Sequence, residues 1–379
     1  MHIAGQFIQG KGKPIPLNFT RVKVFPVKKP RRPQEPHKPY PYTEETVRVK
    51  NENASGVTLA GILTIPEGEG PFPAVILISG SGPNDRDATI FGHKVFLVLA
   101  DYLTRQGIAV LRTDDRGSNQ STGDFNSADI GELASDVAAL YRFLSDHPKI
   151  NAHKIGVIGH SHGASVAPVA TVIEPGISFA VLMAGSSACL ADDLVEQTEI
   201  IYKQRGISEL AIALNTKYLK AAFEIVKQDI GLEEAKQQFE GFIKSFEPEL
   251  KKVNEKELRM LGLMPPLKTS IINSFMTPAM KKDLFFQPNT FLEKMTCPTL
   301  ILHGSKDVQV PVYHLYKTQQ LIRSNGNSRV KAMEFKDKNH LFQSCETCTV
   351  SEYKEIEETM SPEVLDYIIT WVFDLYRLK

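Results

Sequence analysis

The sequence predicts an α/β fold in which a mostly parallel, doubly wound sheet carries helices on both faces. Short continuous apolar runs, which are typical of strands buried on both faces, alternate along the chain with helical patterns. The first two strands, 46–50 and 58–64, are expected to be antiparallel. The buried strands are predicted at residues 74–79, 108–112, 155–159, 179–183, 299–303 and 330–335.

Helical patterns lie between these strands and after the last of them. The sequence predicts where the last helix begins, because Ser361 can cap it and Pro362 fits the first helical position. The helices of the core are predicted at residues 95–106, 130–146, 165–172, 311–324 and 362–376.

One long insertion interrupts the alternation of strands and helices. Between residues 183 and 299 there is no good strand candidate, and the patterns there are helical. They cover residues 192–203, 209–227, 233–245 and 249–261. We therefore expect a helical cap over residues 188–290, inserted before the penultimate strand of an α/β core formed by residues 43–187 and 291–379.

The first 42 residues differ in composition from the rest. Apolar and polar residues alternate between Gly5 and Val24, which predicts a small hairpin. Six prolines between residues 26 and 41 predict an extended linker. Residues 1–43 hold nine basic side chains and one acidic one, but few aromatic residues lie among them, so we interpret the segment as a solvated linker and expect no nucleic-acid partner.

Composition excludes several classes of protein. The chain has 379 residues, with 44 basic and 44 acidic side chains and 42% hydrophobic residues, as in an average globular protein. Its four cysteines are too few for a disulfide framework. No apolar run has the length of a membrane span or of a signal peptide. We expect a cytoplasmic protein, or a periplasmic or secreted one if the natural N-terminus is longer.

The segment 159–163, Gly-His-Ser-His-Gly, fits the pattern G-x-S-x-G. It follows a predicted buried strand and precedes a helical pattern, the context in which a tight turn exposes a nucleophilic serine. Ser161 is therefore the candidate nucleophile, in what would be a nucleophile elbow. An ordinary glycine-rich turn between strand and helix is the alternative.

A serine nucleophile needs a base to take its proton and a group that orients the base. Asp307 follows the strand predicted at 299–303, and His340 follows the last predicted strand. Both therefore leave the carboxyl edge of the sheet, where open α/β sheets place their sites. We predict a catalytic triad of Ser161, Asp307 and His340, in the chain order expected for this kind of turn.

The predicted oxyanion hole consists of two backbone N–H groups. Ser81 lies in a glycine-rich loop directly after the strand at 74–79, and His162 follows the candidate nucleophile. The side chain of His162 is also a candidate substrate-binding residue, with a structural role as the alternative. Residues 84–87, Asn-Asp-Arg-Asp, are expected to form an ion-paired brace near the site.

Other polar residues receive structural roles. We expect Asp114 and Asp115 to bind Arg116 or to cap a turn, and His303 to be a hydrogen-bonded residue at a strand end. Cys345 and Cys348 are interpreted as incidental loop cysteines, with a local disulfide as the alternative. The histidines lack the spacing of a metal site, and no cofactor motif is present, so we predict neither a metal nor a cofactor.

Six motifs follow one another along the chain at residues 77–87, 92–94, 114–117, 159–163, 302–307 and 339–343. Together they resemble the α/β-hydrolase superfamily and, more narrowly, a bacterial carboxylesterase group related to serine-peptidase-like and bile-acid-acyltransferase-like hydrolases. The resemblance covers about residues 43–379 and implies an esterase with Ser161, Asp307 and His340 as its triad. The chain departs from this group at residues 162–164, where relatives usually have an acidic residue and two glycines.

We therefore predict a serine hydrolase that cleaves carboxylic esters with short acyl chains through an acyl-serine intermediate. The alternatives are a serine aminopeptidase or an acyl-CoA thioesterase on the same scaffold, or a non-catalytic binding protein. The expected partner is a small-molecule ester. The oligomeric state stays open, with a dimer as one option.

Overall fold

The computed structural model of the chain describes residues 2–7, 15–20 and 30–376. Strands β1 (His2–Phe7) and β2 (Ile15–Thr20) pair antiparallel within a unit, Met1–Arg31, that is distinct from Arg32–Lys379. They lie where the hairpin was predicted. Residues 8–14 and 21–29, including the beginning of the proline-rich linker, lie outside the described residues.

Most of the remaining strands form one sheet, and the predicted α/β fold with a mostly parallel sheet is confirmed. The strands are β3 (Tyr42–Lys50), β4 (Thr58–Pro66), β5 (Phe72–Ile78), β6 (Thr89–Ile90), β7 (His93–Lys94), β8 (Ala109–Thr113), β9 (Ile150–His160), β10 (Phe179–Met183), β11 (Thr299–Gly304) and β12 (Val330–Phe335). In the described part of the chain, an 8-stranded sheet has the order β12-β11-β10-β9-β5-β8-β4-β3, and β6 pairs with β7 in a separate ribbon. The pairs β3–β4 and β4–β8 are antiparallel, and the others in the large sheet are parallel.

The helices of the described residues cover the sheet and fill the insertion. They are α1 (Val95–Arg105), α2 (Ile130–Ser145), α3 (Gly163–Ile173), α4 (Leu190–Gln204), α5 (Glu209–Val226), α6 (Leu232–Leu250), α7 (Glu255–Leu261), α8 (Ser270–Phe275), α9 (Pro278–Leu284), α10 (Asn289–Leu292), α11 (Tyr313–Ser324) and α12 (Pro362–Tyr376). α2, α3 and α11 share a hydrophobic cluster with one face of the sheet, and α1 and α12 share another with the opposite face. No helix in this part of the chain is both long and apolar enough to cross a membrane.

Strand β5 shows why its sequence is a continuous apolar run. The side chains of Ala74, Ile76 and Ile78 belong to the cluster with α2 and α3, whereas Val75 and Leu77 belong to the cluster with α1 and α12. Successive side chains of a strand point to opposite faces, so a strand covered on both faces needs apolar residues at every position. Burying each large side chain stabilises the fold by about 1.5–3 kcal/mol.

The helices between β10 and β11 form hydrophobic clusters of their own. They occupy the range where the cap was predicted, and the division of the chain into core and cap stays a proposal. The predicted helix boundaries at 245 and 249 were wrong, because α6 continues through Pro248 to Leu250. The next helix begins only at Glu255, since the side chain of Asn254 accepts a hydrogen bond from the backbone N–H of Glu257 and caps it.

Candidate active site

The candidate nucleophile lies on a tight turn between β9 and α3. Ser161 has φ of 54°, a left-handed conformation that is unusual for a residue with a side chain. Its N–H donates to the carbonyl of Met183 on β10 at 2.8 Å, which holds the turn against the sheet. A Cβ at Gly159 would overlap the carbonyl of Gly163, and one at Gly163 would overlap the carbonyl of Ile78. Both glycines of the motif are therefore required by close packing.

Asp307 and His340, two members of the predicted triad, are in direct contact. The Nδ1–H of His340 donates to Oδ2 of Asp307 at 2.7 Å, and both side chains are buried. The other carboxylate oxygen accepts from the backbone N–H groups of Gln309 and Val310 at 2.8 and 2.9 Å. Burial by itself raises the pKa of Asp307, but the charge and hydrogen bond of His340 and the other contacts outweigh it and hold that pKa below its ordinary value.

A close backbone contact places the loops of these two residues together. Gly304, at the end of β11, has no room for a Cβ because the carbonyl of Lys338 lies against it. The N–H of Lys306 donates to that same carbonyl at 3.0 Å. The loop that carries Asp307 and the loop that carries His340 are therefore joined through backbone groups, independently of the two side chains.

His160 connects the serine turn to the loop of His340, a role that the sequence analysis did not predict. Its Nε2–H donates to the carbonyl of His340 at 2.8 Å, and the two imidazole rings have centroids 4.9 Å apart. Burial lowers the pKa of His160 to about 4, so the ring is neutral near pH 7. No hydrogen bond joins Ser161 Oγ to His340 directly in the described structure. The residue next to Ser161 provides the link instead.

The loop after β5 passes beside the nucleophile. A Cβ at Gly80 would lie 3.6 Å from Cβ of Ser161, and Ser81 lines the same cavity as Ser161 and His162. The side-chain amide of Asn84 donates to the carbonyls of Gly80 and Gly82 at 3.1 and 2.7 Å, which fixes the curvature of the loop.

Asp115 holds this loop in place through hydrogen bonds. It accepts hydrogen bonds from Ser79 Oγ at 2.7 Å and from the backbone N–H of Asn84 at 2.8 Å. Burial raises the pKa of Asp115 to about 6 despite these bonds. The aspartate therefore supports the segment predicted to supply an oxyanion donor without lying at the nucleophile itself.

The polar residues at 84–87 form ion pairs near the site, as expected. Arg86 binds Asp114 through two guanidinium nitrogens, with Nε 3.0 Å from Oδ1. Asp87 binds Arg112, whose side chain is buried beneath it. The partners are distant in sequence, so this brace connects the loop after β5 to the end of β8.

The expected pairing of Arg116 was wrong. Its guanidinium binds Asp136 of α2, with Nε 2.7 Å from Oδ2, and neither Asp114 nor Asp115 contacts it. Both aspartates bind the loop after β5 instead, Asp114 through Arg86 and Asp115 through Ser79 and Asn84. Their carboxylates are therefore already paired and do not bind Arg116.

His303 is a hydrogen-bonded residue near the end of β11, as expected, but within the described structure only one of its two ring nitrogens has a partner. Its Nε2–H donates to the carbonyl of Val310 at 3.0 Å, but its buried Nδ1 has no partner among the described residues. Burial lowers its pKa to about 4. Nε2 of the neutral ring lies 3.8 Å from Oδ2 of Asp307, too far for a hydrogen bond, so His303 does not replace His340 as the donor to that oxygen.

Cys345 and Cys348 form a disulfide in the loop that follows His340. The favoured interpretation as unpaired loop cysteines was therefore wrong, and the alternative holds. The other two cysteines of the described residues, Cys189 and Cys297, are free. Within this part of the chain no group of three His, Cys, Asp or Glu side chains is placed to hold a metal ion.

A cavity of about 130 Å³ opens at Ser161, and we call it the Ser161 cavity. Ser81 and His162 line it from the core, together with Gln309 and Val310 of the loop that carries Asp307, whereas Asp307 and His340 themselves are not among its lining residues. The region between β10 and β11 contributes the opposite wall. That wall contains Leu190, Asp193, Leu194, Gln197, Asp283, Phe286 and Pro288.

Two acidic residues from this region line the Ser161 cavity, and no lysine or arginine is among the described residues that line it. Asp193 accepts a hydrogen bond from Ser186 Oγ at 2.7 Å, and Asp283 accepts one from the backbone N–H of Ile130 at 2.9 Å. Burial raises the pKa of Asp193 to about 7 and that of Asp283 to about 6. Near neutral pH, the two aspartates therefore give the cavity wall either a negative charge or none.

The fold is that of the α/β hydrolases, and solved structures agree with it. α/β hydrolase GrgF from Penicillium sp. sh18 superposes with a TM-score of 0.54 at 16% identity, covering 88% of this chain and 98% of its own. The esterase Pf2001 of Pyrococcus furiosus superposes with a TM-score of 0.51 at 16% identity, covering 88% and 91%. At these identities the likeness establishes the fold alone.

The chain belongs to the X-Pro dipeptidyl-peptidase (S15) family, whose pattern matches residues 55–341. It is also 28% identical over 321 residues to Esterase EstD of Thermotoga maritima, a match that covers 83% of this chain and 65% of that protein. The chain thus spans less than two thirds of the length of this curated relative. The predicted superfamily is confirmed, and the family supports the prediction of a hydrolase.

Proposed function

We propose that the chain is a serine carboxylesterase with Ser161 as nucleophile, His340 as base and Asp307 as the group that orients the base. The observation that carries the proposal is the buried 2.7 Å hydrogen bond between Asp307 and His340, linked through His160 to a serine on a strained turn. The esterase similar in sequence supports the same activity.

The hydrogen bond to Asp307 determines which proton His340 carries. Because Nδ1–H donates to the carboxylate, the lone pair of Nε2 is free to accept the proton of Ser161 Oγ. Asp307 then stabilises the imidazolium that forms. His340 must approach Ser161 when ester is bound, a tightening that is common between free and substrate-bound sites.

The reaction proceeds in two balanced steps. Ser161 Oγ forms a bond to the ester carbonyl carbon while its proton moves to His340, and the tetrahedral oxyanion collapses by expelling the alkoxide, which takes that proton and leaves as alcohol. Water repeats the sequence on the acyl-serine and releases the carboxylic acid. The backbone N–H groups of Ser81 and His162 stabilise the oxyanion in both steps.

The cavity supports a small and uncharged acyl group. Its volume of about 130 Å³ is below the roughly 300–1,000 Å³ of typical ligand sites. Asp193 and Asp283 with no basic residue in the lining disfavour an anionic acyl group. The same acidity disfavours the phosphate-bearing thioesters of coenzyme A.

A dipeptidyl-peptidase activity is the second candidate. The name of the family supports it, and an acidic side chain such as Asp193 at the cavity wall offers a partner for the amino group of a peptide. Both activities use the same acyl-serine chemistry. They differ in the leaving group and in the need for a free amine.

A substrate panel separates the two candidates. We expect p-nitrophenyl acetate and butyrate to be cleaved much faster than an X-Pro p-nitroanilide with a free amine. Ser161→Ala should lower turnover on the order of 10³-fold or more and abolish labelling by a fluorophosphonate, while Ser324→Ala on the surface provides the matched control. A Ser161→Ala protein that keeps its esterase activity contradicts the assignment. Preferential cleavage of the anilide supports the peptidase instead.

A further inference from the structure

A second cavity of about 40 Å³ lies behind the nucleophile turn. Among the described residues, His162 is the one residue that lines both this second cavity and the Ser161 cavity. His162 therefore borders both spaces. The relation follows from its place directly after Ser161, where the chain turns from β9 into α3.

The imidazole of His162 is held by packing alone. In the part of the chain that the structure describes, neither of its ring nitrogens has a hydrogen-bond partner, in contrast to those of His160, His314 and His340. Burial lowers its pKa to about 4, so the ring is uncharged near neutral pH. A side chain without polar attachments can be trimmed without leaving a buried group unpaired.

The second cavity has an apolar side and a charged one. Three apolar side chains of α2 line it, Leu133, Val137 and Leu140, and further apolar side chains close it: Leu59, Leu77, Ile78, Phe125 and Val166. Asp115, Arg116 and Asp136 also line it, but Asp115 is bound by Ser79 and Asn84, and Arg116 and Asp136 bind each other. The volume exceeds the roughly 10–15 Å³ that one water molecule needs, so the space has room for a small alkyl group.

We propose that His162 is the specificity-determining residue for acyl size, and that the second cavity is an acyl subsite which its ring closes. The inference rests on the proposed esterase function. With the ring in place, the acyl group is confined to the Ser161 cavity. With the ring removed, the terminal carbons of a longer chain, or one branch of a branched chain, enter the space beside Leu133, Val137 and Leu140.

The test compares p-nitrophenyl acetate with p-nitrophenyl hexanoate. His162→Ala should raise the ratio of kcat/KM for hexanoate over acetate at least about tenfold relative to the wild type, the discrimination that one or two methylene groups provide in an apolar pocket. The backbone N–H of residue 162 is retained, so any general loss of rate affects both esters. His162→Asn replaces the alanine variant if the latter does not fold.

A second substitution tests whether the space that His162→Ala opens to the acyl group is the second cavity. Val137→Leu adds a methylene at a residue that lines the second cavity but not the Ser161 cavity. In His162→Ala it should return the ratio toward the wild-type value, and Val137→Leu alone reports any effect on folding. An unchanged ratio in the His162 variants overturns the proposal, and so does a raised ratio that Val137→Leu does not reverse. A wild type without activity on either ester overturns the proposed function instead.

Discussion

Asp283 in α9 accepts a hydrogen bond at 2.9 Å from the backbone N–H of Ile130, the first residue of α2. Beside it, Lys282 donates to Asp129, the N-cap of α2, at 2.7 Å. The first N–H groups of a helix have no hydrogen-bond partner within the helix, and here Asp283 of the insertion accepts a hydrogen bond from one of them. Both residues of the contact line the Ser161 cavity, so this bond fixes the position of one of its walls.

Removing the contact should loosen that wall. Asp283→Ala leaves the N–H of Ile130 without its acceptor, and we expect a higher KM for short esters together with faster amide hydrogen exchange in α9. Asp283→Asn keeps an acceptor oxygen and should behave nearly as the wild type. Asp229→Ala, at an exposed position of the same region, is the control. Equal KM values in the two Asp283 variants would contradict the prediction.

The orientation of His340 should depend on the charge of Asp307. Asp307→Asn retains a side chain of the same shape, but its amide donates toward Nδ1 and favours the tautomer with the proton on Nε2. We expect kcat to fall on the order of 10³- to 10⁴-fold while the folded structure is kept. Asp337→Asn, in the loop of His340, is the control. The measurement is kcat with p-nitrophenyl acetate as the substrate. A decrease in kcat of less than tenfold in Asp307→Asn would contradict the proposed triad.

Replacing two glycines by alanine should change the free energy of unfolding in opposite directions. Gly163→Ala forces a Cβ into the carbonyl of Ile78 and should destabilise the fold, because backbone must move to relieve the overlap. Gly241→Ala, inside α6, meets no atom within 4 Å and should raise the free energy of unfolding by about 0.5–1 kcal/mol. Urea denaturation of the two variants measures both. A stabilised Gly163→Ala protein would show that the turn is not closely packed.

His303 should make the fold sensitive to acid. Its pKa falls from 6.5 to about 4 on folding, so between these values the unfolded chain binds a proton that the folded chain does not. Its contribution to stability is present above pH 6.5 and is lost as pH falls toward 4. Protonation would also place a hydrogen on Nδ1, which has no acceptor among the described residues.

The His303→Gln variant isolates this effect, because every other titrating group is common to both proteins. We expect the stability difference between wild type and variant to shift in favour of the variant as pH is lowered from 7.5 to 4.5, at no more than about 1.4 kcal/mol per pH unit. Unfolding free energies from urea titrations at both pH values measure it. A difference that does not depend on pH contradicts the lowered pKa.

The core could be predicted, and a triad could be proposed, because the sequence signals for both are local. A strand with apolar residues at every position, such as β5, indicates burial on both faces, and the glycines around Ser161 specify a tight turn before any partner is known. The positions of Asp307 and His340 follow from the ends of their strands. Their contact required only that neighbouring parallel strands end at one edge of the sheet.

Other features depend on three-dimensional packing and could not be read in this way. Arg116 pairs with Asp136 of α2, 20 positions away in sequence, because Asp114 and Asp115 bind the loop after β5. The link from His160 to the carbonyl of His340 joins residues 180 positions apart. The beginning of α9 was readable in principle, because Thr277 and Pro278 form a capping pair.

The insertion leaves the core after β10 and returns at β11, and these two strands are hydrogen-bonded neighbours. Because β10 and β11 run parallel, the insertion leaves at the carboxyl end of β10 and returns at the amino end of β11, so the chain must cross from one edge of the sheet to the other between them. In sequence, the insertion lies between Ser161 and the pair Asp307 and His340. The wall that it contributes to the Ser161 cavity is therefore encoded in one contiguous stretch of gene, apart from the codons of the three candidate reacting groups.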